Sequence, residues 1–114
     1  MLPKKNRLPK LLFGLVFKKN KAVFSDHLFL KYFLPTNNKE VRFSVVIPKT
    51  IMKKATKRNK TKRQIYSIIQ KEIKKIKPPY FGVFLLKKGA TTPSFGQIKT
   101  EVVTLLRKSQ IKVN

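Results

Sequence analysis

Residues 41–76 read VRFSVVIPKTIMKKATKRNKTKRQIYSIIQKEIKKI, and the fold turns on how that stretch divides. Residues 41–47 are β-branched, aromatic or apolar at most positions and stop at Pro48, which reads as a strand. Residues 49–63, KTIMKKATKRNKTKR, then run without Pro or Gly into Ile65, Ile68, Ile69, Ile73 and Ile76. That spacing predicts one long amphipathic helix with a basic front end. Positive charge at a helix N-terminus opposes the macrodipole, at a cost of a few tenths of a kcal/mol per exposed residue. A solvated lysine face normally mixes in Glu at i,i+4, yet no acid occurs from Val41 to Lys71. A phosphate-binding surface accounts for the missing acids better than solvation does.

Working outward, Pro78-Pro79 ends the long helix, residues 80–86 read as a buried strand, and Lys87-Lys88-Gly89 turns the chain. Ser94 fits an N-cap with Gln97 at the capping-box position, opening a last helix whose stripe is Ile98, Val102, Leu105 and Leu106. Upstream lie strand-like runs at 22–25 and 28–34, the second followed by the turn Pro35-Thr36-Asn37-Asn38. Hairpin spacing predicts that these two and the 41–47 strand form an antiparallel meander. In the second run Leu28, Leu30, Tyr32 and Leu34 share one face and Phe29, Lys31 and Phe33 the other. Both faces are substantially apolar, so helices are expected on both. Before them, Leu8, Leu11, Leu12, Leu15 and Val16 recur at helical spacing, with Asn20 as the stop. Phe13 and Phe17 point about 160° away from that stripe, which gives the helix a second, aromatic face. That face is either a second packing surface or a platform on which unpaired bases stack. The order is αβββαβα, an α+β sandwich on a four-stranded sheet, in a single domain over residues 1–114.

Composition restricts the function. Lys and Arg total 28 against four acids, a net charge of +24. Self-repulsion at that charge opposes compaction, and a nucleic acid is the polyanion that relieves it, by phosphate contacts that release counterions. The chain has no Cys, which removes disulfides, thiolate zinc sites and cysteine nucleophiles; the cytoplasm is the expected compartment. The apolar run at 11–17 is short, broken by Gly14 and followed by lysines without a small-residue cleavage site, so it reads as a helix and not a signal peptide. No stretch is long enough to span a membrane, and no membrane partner is expected. Acid–base or two-metal hydrolysis needs converging carboxylates or imidazoles. Asp26, Glu40, Glu72 and Glu101 are scattered, and His27, beside Asp26, is the lone imidazole. No catalytic residue, metal ligand or bound cofactor is expected of the chain itself.

The segment RFSVVIPKTIMKKATKRNKTKR at 42–63 resembles the most diagnostic stretch of the ribonuclease P protein family: a hydrophobic strand, a Ser-x-Lys-Lys-like turn, and a helix opening Ala-x-x-Arg-Asn-Arg-x-x-Lys-Arg. Ala55, Arg58, Asn59, Lys62 and Arg63 match that opening in place. KKNRL at 4–8, the FxxVFK pattern at 13–18, LKYFLP at 30–35 and SFGQIKTEVVTLLRK from Ser94 extend the resemblance over essentially the whole chain. It implies a ribosomal protein S5 domain 2-like fold with a left-handed βαβ crossover through the long helix, against the usual handedness. It also implies a non-catalytic subunit: the RNA subunit with its Mg²⁺ hydrolyses precursor tRNA to leave the mature 5′ end, while the protein binds the catalytic RNA and holds the single-stranded 5′ leader. Carried over by position, Arg58, Asn59, Lys60, Lys62 and Arg63 contact the ribonuclease P RNA, with Lys49, Lys54 and Arg7 beside them. Phe13, Phe17 and Tyr32 line the leader cleft between the first helix and the sheet.

The chain departs from the family pattern at Lys60, where the second Arg of the motif usually stands; the charge stays but the planar fork is lost. Pro48 and Thr50 replace the Ser and second Lys of the turn, leaving Lys49, and Lys53 falls near a customary Gly. The competing reading is a structural ribosomal or general RNA-binding protein of similar fold, which would share the basic helix but have no use for Phe13 and Phe17 on an open cleft.

Overall fold

The computed structural model describes residues 2–18, 21–36, 39–87 and 93–111. Asn20, Asn37, Asn38, Lys88 and Gly89, read above as a helix stop and turns, lie outside the described residues. The elements are α1 (Phe13–Lys18), β1 (Ala22–Phe24), β2 (Leu28–Phe33), β3 (Val41–Val46), α2 (Ala55–Glu72), β4 (Tyr80–Leu86) and α3 (Phe95–Ile111). This is the αβββαβα order, on one four-stranded sheet.

The sheet order is β1-β2-β4-β3, with β3 parallel to β4 and the other neighbours antiparallel. The predicted meander is therefore corrected: β2 and β3 are not neighbours, because β4 lies between them. The reason is burial. YFGVFLL is apolar on both faces and is covered on both sides only at a central position, whereas β3 carries Arg42 and Ser44 and tolerates an edge. Residues 72–80 then return the chain from α2 to that central slot.

Alternation along β2 assigns the two faces. Leu28, Leu30 and Tyr32 enter the main core with Phe43, Val45, Tyr80 and Phe84, under α2 and α3. A smaller cluster of Leu8, Val16, Phe81 and Val83, flanked by Leu12, Phe13, Phe33, Val46 and Leu85, fills the opposite face under α1. Helices thus cover both faces, as expected from the sequence. In the main core the Tyr32 and Tyr80 rings stack at 5.9 Å and Tyr80 meets Phe43 at 5.4 Å. That close fit depends on Gly82, since a Cβ there would lie 2.9 Å from ring carbons of both Phe43 and Tyr80. Tyr80 donates from its hydroxyl to Ser109 Oγ at 2.6 Å, because the Ser109 proton is already given to Leu106 O. Burial pushes the Tyr80 hydroxyl far above the ordinary tyrosine range.

The long helix starts later than its sequence suggests. The amides of Ile51 and Met52 both donate to Pro48 O, forming a turn, and Met52 is buried in the main core with Ile51 beside it. These two apolar anchors hold residues 49–54 out of the helix, which begins at Ala55 and passes into a 3₁₀ turn at Ile73–Lys75. α3 begins as predicted: Ser94 N donates to Gln97 Oε1 at 2.9 Å and Gln97 N to Ser94 Oγ at 3.2 Å, the reciprocal capping box.

The first helix is shorter and rotated relative to its prediction. Leu8 is extended and Pro9 precedes a 3₁₀ turn, so the α-helix starts only at Phe13. Leu12, Phe13 and Val16 face the sheet, while Leu11 is 90% and Leu15 43% exposed. The large Phe13 ring competes successfully with the leucines for the sheet. Ahead of the helix, the N-terminal segment covers the edge of β3: Leu8 N donates to Phe43 O, Arg7 bridges to Phe43, and Asn6 Nδ2 reaches Val41 O. With Tyr66 Oη accepting from Val45 N, these contacts occupy groups that an open edge strand would offer to another chain.

Candidate nucleic-acid interface

The basic surface is built on the start of α2 and the turn before it. Thr61, Ile65, Tyr66, Ile68 and Ile69 bury one face of the helix and thereby turn Asn59, Lys60 and Arg63 to solvent on the other. Lys49 and Lys54 are exposed on the approach, and Lys62 is half-buried beside the buried face. The first turn of α2 has no acid and Lys54 caps it without a side-chain hydrogen bond. Ion pairs join Arg42 to Glu40 and Lys75 to Glu72, but none engages Lys49, Lys54, Lys60, Lys62 or Arg63 among the described residues. Like charges crowded at the positive end of a helix macrodipole raise the local potential and favour an anionic ligand there.

Arg58 differs from its neighbours. Its Nη1 donates to Met52 O at 2.9 Å and Lys53 O at 2.8 Å, so the guanidinium ties the turn to the helix. Arg7 remains exposed at the β3 edge, with its Nε on Leu2 O at 2.7 Å and its carbonyl accepting from Arg42.

The aromatic surface lies on the other face of the sheet. Phe13 and Phe17 meet edge to face at 6.0 Å; Phe13 is half-buried and Phe17 is 37% exposed. Lys31 Nζ sits 5.4 Å from the centre of the Phe17 ring, which places α1 beside β2 and sets a cation against the aromatic edge. Tyr32 is not there. It points to the opposite face, 3% exposed, and burial raises its hydroxyl pKa. Its placement in the cleft is corrected by the β2 pleat, which turns Phe29, Lys31 and Phe33 toward the α1 face instead. Period-two alternation within LFLKYF carried that information.

Val46, the last residue of β3, packs in the cluster beneath α1, and Lys49 follows three residues later, about 10 Å of extended chain at most. The chain thus passes from the cluster beneath α1 into the basic turn within three residues.

The acids do not converge. Glu101, on α3, accepts from Ser25 Oγ and the His27 amide and contacts His27 Nδ1 at 2.7 Å. Burial pushes this carboxyl up, but the hydrogen bonds from Ser25 and His27 and the imidazole outweigh that and hold it below the usual carboxylate range. The imidazole thus pairs with Glu101 and not with its neighbour Asp26, and the group ties the β1–β2 turn to α3. No group of three His, Cys, Asp or Glu residues able to hold a metal occurs among the described residues.

A small sandwich of this charge, with cations free of ion pairs at one helix start and an exposed aromatic edge on the opposite face of the sheet, has the surface of a polyanion-binding domain. The family model described as Ribonuclease P matches residues 2–110, and the chain belongs to that family. It is similar to the ribonuclease P protein component of Pseudanabaena sp. (strain PCC 6903), 27% identical over 112 residues that cover 97% of both chains. Among solved structures, the RNase P protein of Staphylococcus aureus superposes with a TM-score of 0.81 at 17% identity, covering 94% of this chain and 96% of that one. The RNase P protein from Thermotoga maritima gives 0.77 at 22%, covering 90% and 96%. Both show the same fold. The chain is thus a protein component of ribonuclease P, whose role is maturation of the tRNA 5′ end, and membership implies partnership with the ribonuclease P RNA.

Proposed function

We propose that the chain is the non-catalytic subunit of ribonuclease P in the cytoplasm, seating the catalytic RNA on the start of α2 and the 5′ leader of precursor tRNA along the aromatic edge of α1. Lys49, Lys54, Asn59, Lys60, Lys62 and Arg63 take RNA phosphates, with Arg7 at the β3 edge. Phe13 and Phe17 stack leader bases. Arg58 acts chiefly by holding the 49–54 turn in place. Hydrolysis belongs to the RNA and the Mg²⁺ it binds; the protein lowers RNA–RNA repulsion and positions the substrate.

The observation that carries this reading is the exposed Phe17 ring under Lys31, on a chain that also carries a basic helix start without acids. A protein that bound only duplex phosphates would have no reason to leave an aromatic edge in water. The scattered acids, of which Glu40, Glu72 and Glu101 are each engaged by a different cationic side chain or imidazole, support placing the chemistry elsewhere. The test is 5′ cleavage of precursor tRNA by a bacterial ribonuclease P RNA at low Mg²⁺, with and without the protein, alongside protein alone. Stimulation that requires the RNA is expected. RNA binding without stimulation would favour a general RNA-binding role, and cleavage by protein alone would refute the division of labour.

A further inference from the structure

On the α1 side of the sheet, register aligns one residue from each strand into a transverse row. Val46 pairs with Leu85, Leu85 with Phe29, and Phe29 with Phe24. At about 4.8 Å per strand the row spans roughly 14 Å. Its first half, Val46 and Leu85, packs in the cluster beneath α1. Its second half does not: Phe29 belongs to neither core cluster, and Phe24, on the edge strand, is 57% exposed. The two rings stack on each other at 5.6 Å with an interplanar angle of 26°.

This pair continues the aromatic edge of α1. Lys31 follows Phe29 by two residues on the same face, about 6.6 Å along β2, and its ammonium lies against Phe17. The strip therefore runs Phe13, Phe17, Lys31, Phe29, Phe24 from the helix to the outer strand. Cations flank it: Lys18 is exposed next to Phe17, and Lys87 Nζ is held on Ser25 O at 3.0 Å, one residue beyond Phe24. Isolated exposed phenylalanines are ordinary, but two stacked rings in line with a cation-backed aromatic edge form a platform. A second copy of this chain is a poor occupant, because a twofold contact would press Lys18, Lys31 and Lys87 toward their own counterparts. A single strand of nucleic acid supplies bases for the rings and phosphates for the lysines at once.

We propose that Phe24 and Phe29 form a distal stacking site for unpaired nucleotides of the 5′ leader, upstream of those held at Phe13 and Phe17. The inference rests on the leader reading above. It makes affinity depend on leader length in two stages, the second provided by the β1–β2 platform.

The experiment measures binding of precursor tRNA, with leaders lengthened one nucleotide at a time, to the holoenzyme reconstituted with a bacterial ribonuclease P RNA. The proteins compared are the unaltered chain, Phe17→Ala, Phe24→Ala and Phe24→Trp. Phe24→Ala should match the unaltered protein on short leaders and lose about five- to tenfold in affinity once the leader reaches the platform, the lower part of the range for one stacked base. Phe24→Trp should keep the long-leader affinity. It also introduces the only tryptophan of the chain, whose fluorescence should be quenched by long leaders and not by short ones. Equal affinities for Phe24→Ala and the unaltered protein at every length, with Phe17→Ala still impaired, would overturn the distal site and leave the leader reading standing. Length-independent binding by the unaltered protein would remove both. A change in self-association in Phe24→Ala, without a leader effect, would assign the platform to protein contact and overturn the proposal.

Discussion

Arg58 and Arg63 both match the basic motif, yet the structure gives them different work, and Arg58→Ala should separate them. The Arg58 guanidinium donates to Met52 O and Lys53 O, and so fixes the turn that carries Lys49 and Lys54. Hydrogen bonds from a charged donor contribute about 1.5–3 kcal/mol where shielded; here one is part-buried and the other exposed, and water can replace the lost donor at the carbonyls, so about 1–2 kcal/mol in total is reasonable. For a chain of this size that lowers the thermal midpoint by about 5–10 °C. The Arg63 side chain makes no hydrogen bond or ion pair with the described residues, so Arg63→Ala should leave the midpoint unchanged. It should instead weaken RNA binding and reduce the slope of log affinity against log salt by about 1. The assay pairs thermal unfolding by circular dichroism with titration of ribonuclease P RNA at several salt concentrations. An Arg58→Ala variant that unfolds like the unaltered protein and loses the same salt slope as Arg63→Ala would refute the bracing role.

Gly82→Ala places a methyl group 2.9 Å from the Phe43 and Tyr80 rings and should cost about 1–3 kcal/mol in denaturant unfolding, because both rings are boxed in by the main core. Ser94→Ala removes the hydroxyl of the capping box and should cost about 1 kcal/mol by the same measurement. Glu101 has its folded pKa below its ordinary value near 4.5, so its contribution to stability is complete above that value and is lost as pH falls through the folded pKa. Glu101→Gln should therefore flatten the acid limb of the stability–pH curve, checked by urea unfolding between pH 6 and 3, and an unchanged limb would count against the Ser25–His27–Glu101 cluster.

What was legible in the sequence was legible through local periodicity. The Leu28–Phe33 alternation gave both faces of β2, the isoleucine stripe gave the buried side of α2, and Ser94 with Gln97 gave the start of α3. The order of strands was not local. Nothing within residues 22–47 says that β4 will separate β2 from β3; that follows only from the need of YFGVFLL to be covered on both faces. The first helix failed for a related reason. Its leucines and phenylalanines compete for one sheet, and which of them wins depends on the gap left by Phe81, Val83 and Phe33, three residues far away in the chain.

The candidate site shows the same division between residue type and placement. Phe13, Phe17 and the α2 cations stand out by kind, whereas Tyr32, which the alternation sets on the face of Leu28 and Leu30, belongs to the core and not to the cleft. Arg58 shows the converse: its position matched the motif, while its guanidinium is engaged by the very turn that presents the neighbouring lysines. A motif in a highly charged protein thus has to be divided by what each cation already holds. Cations without an internal partner can take a phosphate at the cost of ordering a side chain, whereas one that closes a turn must first give up two carbonyls. On that ground Lys60 and Arg63, and not Arg58, should dominate the salt dependence of RNA binding, and replacing the exposed Lys60 by the family's usual Arg should alter RNA affinity while leaving the unfolding midpoint unchanged.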